Sequence, residues 1–99
     1  MRSFAVSDMT PSHFVERIRL ALAEEDLAGI VSVSVEGETI VARLRRLGNT
    51  ELRFQLEQRG QGFSAHLVGE RVAPLHRPYR RRFEQTLESL LARLGGEVS

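Results

Sequence analysis

Fourteen arginines and no lysine carry the basic charge of this 99-residue chain, and two groups of basic side chains are placed where they could hold an anion. Arg43, Arg45, Arg53 and His66 alternate with apolar residues, and Ser32, Ser34 and Ser64 share their side of the alternation. Guanidinium forks suit phosphate and carboxylate oxygens. The second group lies in His76-Arg77-Pro78-Tyr79-Arg80-Arg81-Arg82. Arg80, Arg81 and Arg82 would stand in the first turns of a helix, where the dipole prefers anions; each exposed cation there costs on the order of 0.3–1 kcal/mol. A bound phosphate or acidic partner would relieve that conflict, and so would local pairing of Arg80 with Glu84 one turn on.

Both groups have a plainer reading. Arginine in place of lysine throughout goes with GC-rich codons, and the chain is also rich in Ala, Gly, Leu and Val. The strand-borne arginines fit a solvated face of mixed charge, with Glu51 and Glu57 toward its ends. No outward strand position is aromatic, so the base-stacking surface of single-strand binders is missing.

Catalytic chemistry finds little support. His13, His66 and His76 fall in three separate elements without ligand spacing. No Ser–His–acid set or Gly-rich phosphate loop is present. The acidic run Glu24-Glu25-Asp26 reads as a solvated helix end. With no cysteine there is neither disulfide nor thiolate chemistry. The expectation is a protein that is not an enzyme and has no cofactor or metal.

Length and composition set the frame. Ninety-nine residues make one core, and 41% apolar with 27% charged residues is ordinary for a folded domain. A net charge of +1 does not by itself point to nucleic acid or membrane. No apolar run reaches the roughly 20 residues of a membrane span, and the first residues lack a signal-peptide core. A cytoplasmic protein is expected.

The elements that must position these residues follow from periodicity. Residues 1–10 read as a flexible N-terminal tail, and 11–96 as a single α+β domain. Thr10-Pro11 forms a helix start, and Phe14, Ile18, Ala21 and Leu22 follow at helical spacing over 11–26. The period then changes to two in 30–36, 39–46, 50–58 and 61–68, giving four half-buried strands. Directly opposed residues must share a face. Val35 opposite Ile40 leaves a two-residue turn at Gly37-Glu38. Leu56 opposite Phe63 leaves Arg59-Gly60, which sets Arg53 against His66. Around Gly48-Asn49, parity demands an odd loop of three residues or a bulge. Residues 71–75 could add a short fifth strand. Pro78 opens a last helix whose stripe is Phe83, Leu87, Leu90, Leu91 and Leu94, stopped by Gly95-Gly96.

The expected architecture is an α-β-β-β-β-α two-layer sandwich: a four-stranded antiparallel meander with both helices on one face. This element order resembles the frataxin-type sandwich and, in part, small bacterial secretion chaperones. The strands-then-helix half is similar to single-strand-binding modules. The frataxin likeness would imply a strongly acidic first helix and a tryptophan-bearing sheet; this chain has no tryptophan, so no iron-related role is carried over. Two functions remain. The first is a protein-interaction module, adaptor or chaperone-like, with a protein partner or a second copy meeting the open sheet face or a sheet edge. The alternative is a nucleic-acid or anion-binding module using Arg43, Arg45, Arg53, His66, Arg77, Arg80, Arg81 and Arg82. No membrane partner is expected.

Overall fold

The computed structural model describes residues 2–98. Its order is β1 (Ser3–Val6), α1 (Pro11–Glu24), β2 (Val31–Glu36), β3 (Thr39–Arg45), β4 (Asn49–Arg59), β5 (Gly62–Arg71), a 3-10 helix (Pro74–Tyr79), α2 (Arg80–Arg93) and β6 (Glu97–Val98). The strands form one antiparallel sheet in the order β2-β3-β4-β5-β1-β6. The α+β class and the packing of both helices on one sheet face hold, but the sheet has six strands.

The two added strands come from the chain ends. Residues 3–6, expected in the tail, pair with β5. Phe4 and Val6 point inward while Ala5 stays exposed. Phe4 meets three other rings, with centroids 5.8 Å from Phe14, 5.3 Å from Phe54 and 6.3 Å from Phe63. Four residues are too short a run for a period of two to stand out, and burial of one phenylalanine supplies what propensity does not. Gly62 makes room for the strand: a Cβ there would lie 2.0 Å from the Val6 carbonyl oxygen. At the other end Gly95 and Gly96 close α2 through bonds to Ala92 and Leu91 carbonyls, and β6 then pairs with β1.

The hairpins test the register. Val35 does face Ile40, and Ser32 faces Arg43. Arg45 pairs with Asn49, so the second connection is the three-residue loop Arg46-Leu47-Gly48 that parity requires. The third hairpin differs: Arg59 pairs with Gly62, Leu56 with Ala65 and Gln55 with His66. The turn is Gly60-Gln61, with Gly60 at φ 57. This moves the pairing by two residues, which leaves every side chain on its expected face and separates Arg53 from His66.

Farther along, Phe54 pairs with Leu67 but Arg53 with Gly69, so Val68 is the extra residue of a bulge. The bulge reverses the alternation. Arg71, opposite Glu51, joins the open face, while Glu70, opposite Leu52, turns toward the helices. The expected fifth strand at 71–75 is absent, because β5 runs on to Arg71 and the chain then enters the 3-10 helix. Pro78 lies inside that helix, and α2 begins at Arg80.

The core is continuous between layers: Phe14, Ile18 and Leu22 of α1 and Phe83, Leu87 and Leu91 of α2 pack on the sheet. An apolar void of about 30 Å³ remains among Phe4, Phe14, Ile18, Ala42, Phe54 and Leu87. It has the size of one water and no polar lining, which makes it a packing gap. No helix among the described residues is long and apolar enough to cross a membrane.

Candidate functional site

Arg43, Arg53 and His66 share the uncovered face of the sheet, but carboxylates already hold them. Arg43 bonds Glu36 at 2.7 Å and Glu51 at 3.0 Å, and Arg53 takes the other Glu51 oxygen at 3.0 Å. Ser34 donates to Glu36 at 3.0 Å. His66 stands 3.9 Å from Glu57. The pairing lowers the Glu36 carboxyl below its ordinary range, chiefly through Arg43, and the Glu51 carboxyl chiefly through Arg53. Arg43 is pushed up, first by Glu36. Val41, in the middle of this polar face, has no exposure at all, so its neighbours' side chains lie down over it. Around Arg43 and Arg53 the face is a paired network that has largely neutralised itself.

The helix start behaves similarly at one position. Arg80 bonds Glu70 at 2.5 Å and Glu84 at 3.2 Å, and Glu70 is what raises it most. The bulge in β5 is what delivers Glu70 to that side. By contrast Arg45, Arg71, Arg77, Arg81 and Arg82 have no carboxylate within 4.0 Å among the described residues.

Arg45 and Arg71 come together at one end of the open face. With Arg43, Asn49, Thr50 and Glu51 they line a cleft of about 480 Å³. Arg71 had no role in the sequence reading, because the alternation that would assign it a face is broken by the bulge.

Behind the wall of this cleft lies a second concavity. The loop after β3 and the 3-10 helix lean together through a buried polar link. His76, 7% exposed, has Nδ1 2.7 Å from the Thr50 hydroxyl oxygen and Nε2 against the Arg46 carbonyl. The Ala73 amide donates to the same hydroxyl at 3.1 Å. A carbonyl only accepts, so Nε2 carries the proton, and the threonine hydroxyl then donates to Nδ1. Every group in the link is satisfied in this arrangement. Gly48 completes the approach: at φ 137, its missing Cβ would stand 2.9 Å from the Ala73 Cβ.

The result is a groove of about 340 Å³ lined by Leu44, Arg46, Leu47, Leu75, His76 and Tyr79. Three of its apolar side chains face water: Leu47 is 81% exposed, Leu75 65% and Tyr79 58%. Leu47 is also left-handed, at φ 56. Asp8 and Asp26 share that conformation, which aspartate tolerates and a bulky side chain does not. The sequence did hold a signal here. Leu47 sits at a turn tip beside a glycine, and Leu75 and Tyr79 sit in a Pro-bounded connection, each where a polar residue is usual.

Among the described residues, no group of three or more His, Asp or Glu side chains is arranged to hold a metal ion. No protein-family model, no curated protein and no solved structure matches this chain.

Proposed function

We propose that the chain is a non-catalytic protein-interaction module, adaptor or chaperone-like, that docks a protein partner at the sheet end formed by Leu47, Leu75 and Tyr79. One observation carries the reading: Leu47 is held in a left-handed backbone conformation with most of its side chain in water. That conformation costs an L-residue roughly 1–2 kcal/mol, and burial inside this molecule returns almost nothing. Strain of this kind clusters where function holds it. Tyrosine and arginine beside an apolar groove are also the residue types enriched at interface centres. The cytoplasm is the compartment proposed, in keeping with a chain that has no cysteine.

The open face and the sheet edges support a docking role less well. The face is internally paired. On edge strand β2, Arg19 of α1 donates to the outward Val33 carbonyl at 3.2 Å, a guard against pairing with another strand.

The test is site-specific photo-crosslinking in the producing cell. A photoreactive residue at Tyr79 should give discrete protein adducts, and one at Val68, also exposed, should not. Equal yields at the two positions, or none at Tyr79, contradict the reading.

A second reading, binding of nucleic acid or another anion, is favoured by the arginines that have no carboxylate partner among the described residues, Arg45, Arg71, Arg77, Arg81 and Arg82. It requires a salt-sensitive gel shift that disappears with Arg45→Glu plus Arg71→Glu. No shift at low salt removes it.

A further inference from the structure

The arginine cleft on the open face and the apolar groove on the helix side back onto each other at one end of the sheet. Thr50 lines the cleft and bonds His76, which lines the groove. Arg45 ends β3 and Leu47 lies two residues on, in the loop, so their Cα atoms are no more than about 7 Å apart. A segment anchored in the groove would reach the cleft by passing over the Arg46-Leu47-Gly48 turn.

We infer that the docked segment is acidic as well as apolar: a stretch of a partner protein with a leucine-like or aromatic anchor for the groove and Asp or Glu beside it for the cleft. This rests on the protein-docking reading above and narrows it. Charge complementarity supports it. The cleft's own carboxylate, Glu51, has both oxygens engaged by Arg43 and Arg53. Arg45 and Arg71 have no counter-charge among the described residues. Arg46 brings a further cation to the groove itself, and Arg77 is exposed on the adjoining 3-10 helix. Around both concavities the uncompensated charge is thus positive. An acidic segment would gain charge-assisted hydrogen bonds there, whereas a basic one would be repelled. A second copy of the chain is a poorer occupant. In its acidic run 24–26, Glu24 and Glu25 are already within reach of Arg93, at 3.9 and 2.9 Å.

The experiment is selection of a random displayed peptide library on the purified full chain, with counter-selection on Leu47→Asp/Tyr79→Asp. All the altered side chains are exposed, and a cooperative melt no lower than that of the wild type will confirm that each variant folds. Enriched peptides should carry Asp or Glu next to Leu, Phe or Trp. Arg45→Glu plus Arg71→Glu should weaken the best of them on the order of tenfold or more, and raised salt should weaken it further. Enriched peptides that lack acidic residues but still need Leu47 and Tyr79 would overturn the acidic inference and leave docking standing. If no peptide discriminates wild type from Leu47→Asp/Tyr79→Asp, docking fails as well. Two further outcomes would overturn the inference: binding to phosphatidylserine vesicles in place of peptides, or dimer formation that Leu47→Asp abolishes. They would assign the surface to a membrane or to a second copy.

Discussion

The Thr50 hydroxyl lies 2.7 Å from His76 Nδ1, beneath the surface at the point where the loop 46–48 meets the 3-10 helix. His76 holds both sides of the exposed groove, since its other ring nitrogen donates to the Arg46 carbonyl of the Leu47 loop while Leu75 and Tyr79 share its own helix. Removing its ring should loosen the groove while leaving the exposed Leu47, Leu75 and Tyr79 side chains unaltered. His76→Ala leaves the Thr50 hydroxyl and the Arg46 carbonyl without their partner, a loss of about 2–3 kcal/mol. Urea denaturation measures that cost. Amide exchange should rise at 46–49 and 74–79 well before it rises in the strands.

Leu47 offers a separation of stability from function. Asparagine tolerates the left-handed conformation, so Leu47→Asn should raise stability by about 0.5–1 kcal/mol, read as a higher midpoint in denaturant. The same variant should bind the partner more weakly. A destabilised Leu47→Asn would mean that the leucine makes contacts within the domain that offset its strain.

Phe4 makes the N-terminal strand part of the core. Phe4→Ala should cost about 3–5 kcal/mol, enough to leave so small a domain largely unfolded on warming. Gly62→Ala should be damaging for a different reason, because its Cβ would collide with the Val6 backbone. Thermal melts followed by circular dichroism check both.

The carboxylates of the open face predict a pH response. Glu36 and Glu51 are lowered in the folded chain by Arg43 and Arg53. A lowered folded value means that the unfolded chain takes up protons first, so the contribution is present above the ordinary glutamate value near 4.3 and is lost as pH falls through and below it. Their contribution to the denaturation midpoint should be constant down to about pH 5 and fall in stronger acid. Glu51→Gln should flatten that fall. Both groups lie at the surface, so added salt should shrink the effect.

Much of the fold was legible because burial repeats in the sequence. Val31, Val33, Ile40, Ala42, Leu52, Phe54, Phe63 and Ala65 read as one face of four strands and are one face. Parity alone required the odd loop after Arg45. What was not legible depends on contacts far apart in the chain. Ser3–Val6 becomes a strand only because β5 and the phenylalanine cluster receive it. The bulge at Val68 is marked in the sequence only by the neighbouring Gly69, yet it sends Arg71 to one face and Glu70 to the other. The candidate arginines were found as residue types, but their pairing was not. Arg43, Arg53 and Arg80 are held by carboxylates, while Arg45 and Arg71 are left facing a cleft. Leu47, Leu75 and Tyr79 escaped because periodicity detects apolar residues that are buried, and these sit in connections between elements.

The docking claim is tested most directly by hydrogen exchange on the chain with and without the protein recovered by crosslinking through Tyr79. Slowed exchange at 44–49 and 74–80, with 32–36 and 64–68 unchanged, is the result expected. Protection concentrated in 32–36 and 64–68, on the open sheet face, with the groove segments unaffected, would contradict it.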